Sequence, residues 1–593
     1  MNNQRRTKIV ATVGPACSSK EMLTSLVNAG VNVFRLNFSH GKHETHVEVI
    51  KNIREVAKEL DKVIGILQDI QGPKIRIGEV EKNTFDGKEI EAVYLNEGQT
   101  YSLTSEPLVA NNDIAYISYK FLVEDVAIGA VVLIDDGLIE LQVTGKADKT
   151  LVCKVKVGGY IKPHKGVNFP NTALKISCVT EKDKEDMILG VKQRVDFIAA
   201  SFVQRASDIM EIKDFLSKLN SRIPVIAKIE NQAAIDNLED IISVADAVMV
   251  ARGDMGVELP TEDIPLLQKR IIKLCNLVGL PVITATQMLD SMVNNPRPTR
   301  AETTDVANAI FDGTDAVMLS NETAVGKYPI EVVNTMAKIA QKADEELMKR
   351  FALNYMAHHL YTISGSISMA ATYIAQSINA AAIVTATFSG SSAKKIARFR
   401  TPCKIIAATP EPAILRQLSL VWGVTPILVP PASDTDSMIK IVLDCSVEAK
   451  LVADGDIVVI TTGAPIGIAG TTNIIKVEVV TTILAQGMGL GKTIASGRVV
   501  FAINSDEAIN KIQKGDILVT SMTDKDYIPA IRECSALITE EGGLTSHAAI
   551  VAMSLGIPVI LGVSSASQNL KENSIVTVDP RRGLVFAGNQ KVV

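Results

Sequence analysis

A lysine and two carboxylates stand close together in the sequence, at positions that could hold a metal ion and an anionic substrate. The apolar run that carries Lys228 and ends at Glu230 predicts a buried strand, and the run that ends at Asp254 predicts another. Residues 231–245 predict a helix between them, so the two strands are parallel and end at one edge. One ammonium and two carboxylates there fit Mg2+ (or Mn2+), which commonly bridges protein carboxylates to phosphate. The alternative is a buried ion pair beside a turn aspartate.

Eight apolar runs, each followed by a helical pattern, must position these side chains. They predict strands at residues 8–14, 33–39, 64–70, 197–203, 224–230, 247–253, 281–287 and 316–322. Because strand and helix alternate eight times, the sequence favours a closed (β/α)8 TIM barrel, whose sites lie at the carboxyl ends of its strands. An open doubly wound sheet is the alternative.

Residues 73–175 interrupt this series with alternating apolar and polar residues, which predict an inserted antiparallel β domain with a hairpin at Asp136-Gly137. The barrel therefore comprises residues 1–72 and 176–349. Further strands at residues 381–387, 404–408, 426–429 and 456–461 predict a second α/β domain with a parallel sheet over residues 350–482. A small mixed domain is predicted for residues 483–593.

The composition excludes several functional classes. The 593 residues imply about three to five domains, and 47 % hydrophobic with 21 % charged residues is ordinary for a globular protein. A net charge of -5 without a Lys/Arg cluster argues against a nucleic-acid partner. Seven cysteines without Cys-x-x-Cys spacing and seven scattered histidines predict a reducing compartment and no zinc or histidine-built metal site. Without a signal peptide or membrane-spanning run, we expect a cytoplasmic protein with no membrane partner.

The predicted strand ends present a particular set of side chains. They are Arg35, Asn37, Ser39, Asp69, Ser201, Lys228, Glu230, Asp254, Thr284, Thr286, Ser320 and Glu322. This set has cations, acids and hydroxyls, but no cysteine nucleophile or Ser/His pair. It suits phosphoryl transfer, in which positioning and charge neutralisation supply most of the catalysis.

Seven motifs make the chain resemble the pyruvate kinase family, over roughly residues 5 to 480. In order, they are NVFRLNFSH (32–40), QGPKIR (71–76), KGVN (165–168), AKIE (227–230), ARGD (251–254), ATQML (285–289) and PRPTRAE (296–302). The resemblance implies a homotetramer that catalyses the last step of glycolysis. In that step the phosphoryl group of phosphoenolpyruvate passes to ADP and gives pyruvate and ATP. The inserted domain would be a lid that excludes water.

The resemblance also implies roles for individual residues. Substrate binding falls to Arg35, Lys228, Gly253, Asp254, Thr286 and Ser201, and catalysis to Lys228, Arg35, Thr286 and Ser320. Nucleotide binding falls to Arg76, Lys165, Asn37 and His40. The magnesium ligands are Glu230 and Asp254. The residue that protonates the enolate is left open.

A monovalent cation site is implied at Asn37, Ser39, Asp69 and the carbonyl of Ile70. Many family members require potassium there and carry a glutamate where this chain has Lys74. Because a lysine ammonium can supply the missing positive charge, we expect activity that does not require K+. The alternative is that Lys74 is a solvated lid residue.

A hydroxyl-rich loop follows the first strand of the second α/β domain. It resembles the family's effector site, which implies a phosphorylated small-molecule effector bound by Thr385, Thr387, Ser389, Gly390, Ser391, Ser392 and Gly467. A purely structural turn is the alternative.

Two glycine-rich motifs lie near the carboxyl end. The run 487–493 looks like a nucleotide P-loop, but its glycine spacing is too short and no strand is predicted before it, so we assign it no nucleotide. The run GGLTSHAA (542–549) resembles the phosphohistidine mobile domain of PEP synthases and pyruvate phosphate dikinases, which makes His547 the candidate phosphate carrier. Because the ATP-binding partner domain of those enzymes is absent, we expect a structural or regulatory appendage.

Three other functions are considered. A PEP-utilising phosphotransferase would relay phosphate through His547. A metal-dependent lyase acting on phosphoenolpyruvate or pyruvate would not need the KGVN motif or the lid. A non-catalytic sensor would not need Lys228, Glu230 and Asp254, and all three are present.

Overall fold

The computed structural model describes residues 5–85, 88–170, 172, 174–349, 362–465, 471–480, 483–564 and 566–589. These residues fall into two compact units. The first takes those within 1–369, 385–430 and 467–472, and the second takes those within 370–384, 431–466 and 473–593.

The first unit begins with strand and helix in alternation. These elements are β1 (Lys8–Val13), α1 (Lys20–Ala29), β2 (Val33–Asn37), α2 (His43–Glu59) and β3 (Gly65–Asp69). Helix α1 begins after Ser19, whose side chain accepts a hydrogen bond from the Met22 amide, and it ends at Gly30 in the left-handed region at φ 119°.

An inserted β domain follows β3. Its elements are β4 (Lys82–Phe85), β5 (Lys88–Glu91), β6 (Val93–Leu95), β7 (Thr100–Thr104), β8 (Ile114–Tyr116), α3 (Leu122–Asp125), β9 (Val131–Ile134), β10 (Ile139–Ala147), β11 (Thr150–Val157), β12 (Gly159–Ile161) and β13 (Val167–Asn168). The main sheet has the order β13-β9-β10-β11-β7-β8. Strands β9 and β10 form the predicted hairpin, with Ile134 opposite Ile139. The expectation of a purely antiparallel domain was wrong, because β7 and β8 pair in parallel.

The strand and helix alternation then resumes. The elements are α4 (Glu181–Lys192), β14 (Phe197–Ala200), α5 (Ala206–Lys218), β15 (Val225–Ile229), α6 (Gln232–Asp236), α7 (Leu238–Val244), β16 (Ala247–Ala251), α8 (Arg252–Glu258), α9 (Ile264–Val278), β17 (Val282–Ala285), α10 (Arg300–Asp312), β18 (Ala316–Leu319), α11 (Asn321–Ala324) and α12 (Pro329–Lys349).

Within the described residues, eight of these strands close into a parallel barrel in the order β1-β18-β17-β16-β15-β14-β3-β2. The closing pair, β1 and β18, sets Lys8 opposite Ala316 and Ala11 opposite Leu319. Apolar side chains fill the interior: Val10, Val33, Leu67, Phe197, Ala199, Ile226, Ala247, Met249, Ile283, Ala285, Ala316, Met318 and Leu420. Closure confirms the (β/α)8 barrel and excludes the open doubly wound sheet.

The barrel strands are shorter than predicted, because the chain turns out of the sheet just before several site residues. Phe202, Thr286 and Gln287 have φ of 57°, 67° and 52°, which no strand ladder accommodates. The single helix predicted for residues 231–245 was also wrong. These residues form two helices, α6 and α7, which are separated at Asn237. The side-chain amide of Asn237 donates to the carbonyls of Ala233 and Gln204.

The second α/β domain was predicted with four strands. Its elements are α13 (Ile363–Ser377), β19 (Ala382–Ala386), α14 (Ser391–Ala397), β20 (Lys404–Thr409), α15 (Pro412–Gln417), β21 (Val424–Leu428), α16 (Thr435–Glu448), β22 (Ile457–Gly463) and β23 (Thr472–Val479). Strands β20 and β21 are parallel. Strand β23 was not predicted, and β21 begins two residues before the predicted run.

The carboxyl-terminal residues form a mixed domain in the second unit. Its elements are β24 (Ile483–Gln486), β25 (Met488–Leu490), β26 (Ala495–Phe501), α17 (Ser505–Lys511), β27 (Ile517–Thr520), α18 (Ile528–Glu533), β28 (Ala536–Thr539), α19 (His547–Leu555), β29 (Val559–Leu561), α20 (Ala566–Asn569), β30 (Ile575–Asp579) and β31 (Leu584–Ala587). The P-loop-like run contributes β25, an antiparallel partner of β29, and not a turn from strand to helix. Among the helices described here, none is long and apolar enough to cross a membrane.

Candidate active site

Lys228 lies at the centre of the charged groups at the barrel mouth. Its Nζ donates to Ser201 Oγ at 2.7 Å, and it lies 2.8 Å from Glu230 Oε1 and 3.3 Å from Asp69 Oδ1. Burial disfavours the ammonium, but the charges of Asp69, Glu230 and Asp254 outweigh it and raise the pKa of Lys228. The side chain is therefore a fixed positive charge at neutral pH.

Arg35, at the middle of β2, joins the same network through Asp69. Its Nε donates to Asp69 Oδ2 at 2.7 Å, and its Nη1 donates to Thr12 Oγ1 at 3.1 Å. Burial opposes ionisation of Asp69, yet the charges of Lys228 and Arg35 prevail and lower its pKa. Asp69 thus holds two cations side by side, as a site for a multiply charged anion requires.

Glu230 and Asp254 supply the negative charge next to Lys228. Glu230 Oε2 accepts a hydrogen bond from the Phe202 amide at 2.8 Å, and Asp254 lies in the first turn of α8. Burial raises the pKa of Glu230 to about 7, Lys228 opposes this shift, and the charge of Asp254 adds to it. Two neighbouring carboxylates at the barrel mouth fit a divalent cation. No group of three or more His, Cys, Asp or Glu side chains that could hold a metal occurs among the described residues.

The Thr286 side chain is hydrogen-bonded to the backbone amide of Gly253, the residue before Asp254. Its Oγ1 accepts a hydrogen bond from the Gly253 amide at 2.7 Å and donates to the Ala285 carbonyl at 2.7 Å. The structure thus brings Gly253 and Thr286 together at the ends of β16 and β17.

Ser320 follows β18, and its hydroxyl is buried without a hydrogen-bond partner among the described residues. Glu322 fixes this loop, because its carboxylate accepts from the amides of Ser320 at 2.7 Å and Leu289 at 3.2 Å. Burial raises the pKa of Glu322, although the donating amides oppose the shift.

The four predicted nucleotide residues have local partners. In the inserted domain, Arg76 donates to the His164 carbonyl at 3.0 Å and Lys165 lies 2.7 Å from Asp135. In the loop after β2, Asn37 Oδ1 accepts from the Ser39 amide at 3.1 Å. The carbonyl of His40 contacts the His46 ring nitrogen at 2.9 Å.

The predicted monovalent site is partly occupied by protein contacts. The Ile70 carbonyl accepts a hydrogen bond from Ser201 Oγ at 2.8 Å, and Asp69 is paired with Arg35 and Lys228. Lys74 packs against Gly166 of the inserted domain. A Cβ atom on Gly166 would lie 2.9 Å from Lys74 Cε and 3.6 Å from its Nζ.

The predicted effector residues lie around the turn from β19 to α14. Thr387 Oγ1 accepts from the Gly390 amide at 3.0 Å, and Ser392 Oγ lies 2.5 Å from Thr472 Oγ1. The Thr385 hydroxyl is buried and has no hydrogen-bond partner among the described residues. Ser389 precedes Gly390, and Ser391 is the first residue of α14. Gly467 lies outside the described residues.

His547 is the first residue of α19 in the carboxyl-terminal domain. Ser546 caps this helix by accepting from the Ala549 amide at 3.3 Å. The Nδ1 atom of His547 lies 3.1 Å from Thr523 Oγ1, and the ring is half-buried.

Three residues that the site predictions omitted belong to the same set of contacts. Thr12 accepts a hydrogen bond from Arg35, Arg252 donates to the Thr286 carbonyl, and Asp305 accepts from Arg252. Thr12 and Arg252 had a signal in the sequence, because each lies near the carboxyl end of a predicted strand. Asp305 had none, since its partner is distant in the sequence.

Three family models match the chain. "Pyruvate kinase, barrel domain" covers residues 4–333, "Pyruvate kinase, alpha/beta domain" covers residues 365–478, and "PEP-utilising enzyme, mobile domain" covers residues 512–583. The first alone spans more than half of the chain.

Full-length relatives and a solved structure agree with these matches. A pyruvate kinase of Sporosarcina psychrophila is 47 % identical over 99 % of this chain and 100 % of its own. A pyruvate kinase of Geobacillus stearothermophilus is 47 % identical over 100 % of both chains. The crystal structure of a pyruvate kinase from Cryptosporidium parvum, 36 % identical, covers 80 % of this chain and 96 % of its own with a TM-score of 0.73. This chain therefore belongs to the pyruvate kinase family of phosphotransferases and adds a PEP-utilising mobile domain at its carboxyl end.

Proposed function

We propose that the barrel mouth carries the pyruvate kinase reaction, the transfer of the phosphoryl group of phosphoenolpyruvate to ADP, with Lys228 as its central catalytic residue. The observation that supports this most directly is the position of Lys228, buried between Asp69, Glu230 and Ser201 at the strand ends. A fixed ammonium in a buried site that excludes water stabilises negative charge that develops in a transition state.

Different groups hold the two ends of the substrate: cationic side chains at the phosphoryl group and neutral hydrogen-bond donors at the carboxylate. Arg35 and Lys228 bind its phosphoryl group, and Ser201 orients the ammonium of Lys228. The amides of Gly253 and Asp254, together with the Thr286 hydroxyl, receive its carboxylate, which would replace the hydrogen bonds from the Gly253 amide to Thr286 Oγ1 and from Thr286 Oγ1 to the Ala285 carbonyl.

ADP is held between the barrel and the inserted domain. Asn37 and His40 bind it from the loop after β2, and Arg76 and Lys165 bind it from the insertion. The insertion then excludes water from the transfer step.

In the reaction, the bond between phosphorus and the enol oxygen breaks, and a bond forms from phosphorus to a terminal oxygen of ADP. Lys228 neutralises the charge left on the enol oxygen. The enolate carbon then takes a proton to give pyruvate, at the side where Thr286 and Ser320 lie. Glu230 and Asp254 would hold magnesium, which supplies charge neutralisation at the substrate's oxygens.

The test is ATP and pyruvate formation by the purified protein from ADP and phosphoenolpyruvate with magnesium. Lys228→Met should lower kcat by about 100- to 1,000-fold, the usual effect of removing one electrostatic group. Lys213→Met is a matched control. Lys213 Nζ lies 2.8 Å from Asp246 Oδ2, and this ion pair is remote from the barrel mouth. Lys228→Met activity equal to that of wild type, with an unchanged thermal midpoint, would contradict this role of Lys228.

We propose that the enzyme does not require potassium, because the ammonium of Lys74 supplies the positive charge of the ion. Activity should persist when sodium or a bulky organic cation replaces potassium. Lys74→Glu should convert the enzyme to a potassium-dependent one, because the positive charge is then missing. A wild-type rate that falls to background when potassium is replaced would contradict this proposal.

Regulation by a phosphorylated small molecule is proposed on the hydroxyl groups around the turn from β19 to α14. The buried Thr385 hydroxyl, which has no partner among the described residues, supports a ligand there. A panel of sugar phosphates and nucleoside monophosphates should contain one that changes the dependence of rate on phosphoenolpyruvate. Thr385→Val should weaken that response.

A phosphohistidine relay is the second candidate, favoured by the mobile-domain match at residues 512–583 and by the place of His547 at the start of α19. We expect His547 to stay unphosphorylated during turnover. Phosphoenolpyruvate labelled in its phosphoryl group should leave no acid-labile label on the protein. Label that His547→Gln abolishes together with activity would establish the relay instead.

The homotetramer stays a prediction of the family resemblance, and the cytoplasmic location stays a prediction of the sequence, in which we found no signal peptide or membrane-spanning run. Sedimentation of the purified protein measures the first, and fractionation of the source cells measures the second.

A further inference from the structure

The turn after β17 has an unusual backbone. Thr286 and Gln287 follow each other with φ of 67° and 52°, in the left-handed region that side chains with a Cβ rarely adopt. Thr286 is β-branched, which makes this conformation more costly still. Such a turn persists only where the surrounding structure holds it.

The side chain of Arg252 holds this turn. Its Nη2 donates to the carbonyls of Thr286 at 2.7 Å and Gln287 at 3.4 Å, and its Nε donates to the carbonyl of Ala285 at 3.3 Å. One planar guanidinium thus binds the carbonyl groups of successive residues, which a lysine ammonium cannot do with the same geometry.

Asp305, on α10, fixes the guanidinium from its other side. Both carboxylate oxygens accept from Arg252 Nη1, at 2.8 and 2.7 Å, and Gln268 Oε1 lies 3.4 Å from the same atom. The Arg252 side chain is 10 % exposed and that of Asp305 is 37 % exposed. The guanidinium is therefore largely shielded from solvent, while the carboxylate keeps partial contact with it.

Arg252 also acts through the backbone. It is the first residue of α8 and directly precedes Gly253, whose amide donates to Thr286 Oγ1 at 2.7 Å. The same residue thus fixes the end of β16 by its place in the chain and the end of β17 by its side chain.

We propose that Arg252, oriented by Asp305, is a positioning residue that sets the spacing between the Gly253 amide and the Thr286 hydroxyl for the substrate's carboxylate. This inference rests on the proposed role of Gly253 and Thr286. Neither Arg252 nor Asp305 is proposed to touch the substrate.

The experiment uses Arg252→Lys, which keeps the charge, and Asp305→Asn, which keeps the shape. Arg252→Lys should lower kcat/KM for phosphoenolpyruvate by about 100-fold, because a displacement of about 1 Å at a substrate-binding group has effects of that size. Asp305→Asn should lower it somewhat less. KM for ADP should stay within about twofold, since the nucleotide residues lie elsewhere. Lys213→Met, which removes a barrel ion pair remote from the turn, should change neither parameter.

A combination with Thr286→Ala separates positioning from a general structural role. If Arg252 acts through Thr286, the double variant should be no worse than the more impaired single variant. Losses in the double variant that multiply would overturn the proposal. Equal losses for both substrates, in proportion to a fall in the thermal midpoint, would also overturn it.

The same variants distinguish failure of the proposed carboxylate site from failure of the positioning role of Arg252. If Thr286→Ala leaves the phosphoenolpyruvate parameters unchanged, the proposed carboxylate site itself fails. If Thr286→Ala impairs them and Arg252→Lys does not, only the positioning role fails.

Discussion

At the scale of single residues, the barrel mouth is a set of buried charges that stabilise one another. Arg35, Asp69, Lys228 and Glu230 form one connected network. Removing one member leaves its partners buried without compensation, so activity measurements on such variants need a stability measurement beside them.

His46 shows a different effect of burial on a titratable group. Its ring stacks on Phe38 with centroids 4.0 Å apart, and it contacts the His40 carbonyl at 2.9 Å. Burial lowers its pKa from the ordinary value of 6.5, while the His40 carbonyl and Asp186 oppose that shift. The folded protein therefore resists protonation at His46 more than the unfolded chain does.

We expect His46 to make the protein less stable in mild acid. As the pH falls through about 6.5, the unfolded chain binds a proton at His46 that the folded protein rejects, so stability is lost. His46→Phe keeps an aromatic ring on Phe38 and has no proton to bind. Urea midpoints measured from about pH 7.5 to 5.5 should fall less for the variant than for wild type. A difference between the two that does not change with pH would contradict this account.

At the scale of elements, β13 of the insertion and α8 of the barrel are joined by one described hydrogen bond between side chains. Asn168 Nδ2 donates to Glu258 Oε1 at 3.1 Å. Both residues line a cavity of about 260 Å³ between the insertion and the barrel. Burial raises the pKa of Glu258, while Asn168 opposes this shift.

Asn168→Ala should loosen the insertion. A hydrogen bond to a charged group contributes about 1.5–3 kcal/mol, so its loss raises the open population by roughly 10-fold or more. Amide hydrogen exchange should become faster at residues 167–169 and around residue 258, and remain unchanged in the barrel strands. Asn83→Ala is a matched control, because Asn83 bonds within the insertion, to the Ala92 carbonyl at 3.0 Å. Equal exchange in wild type and Asn168→Ala would show that other contacts hold the insertion.

At the scale of the whole molecule, a buried arginine joins the barrel to residues of the second α/β domain that belong to the same compact unit. Arg400 Nη1 lies 2.9 Å from Asp315 Oδ1, and both side chains are buried. The indole of Trp422, the single tryptophan of the chain, donates to Asp344 Oδ1 at 3.1 Å. The guanidinium of Arg400 lies 5.0 Å from the centroid of that ring.

Arg400→Met should destabilise this junction by about 3–5 kcal/mol, because it leaves the Asp315 carboxylate buried without its partner. Trp422 fluorescence reports the transition directly, and its urea midpoint should fall. Lys342→Met is the control, since Lys342 pairs with Glu345 on the surface and is 78 % exposed, and its effect should stay below about 0.5 kcal/mol. A midpoint for Arg400→Met equal to that of the control would contradict the prediction.

The sequence predicted the fold well where the signal is local. Apolar runs and helical patterns repeat every few residues, so the eight strands and the inserted domain could be read directly. Errors arose where a side chain or a left-handed residue overrides the local pattern, as at Asn237 and Thr286. The boundaries of the domains and the roles of the site residues stay predictions.

By itself, the sequence determined that Lys228 and Glu230 stand at the end of one strand and that Asp254 follows the end of another, because the two apolar runs end there. It could not determine their partners. Asp69 is separated from Ser201 and Lys228 by more than a hundred residues of chain, which include the insertion, and only barrel closure brings them within hydrogen-bond distance. The same holds for Arg252 and Asp305, because which side chains meet is decided by the packing of helices around the closed barrel.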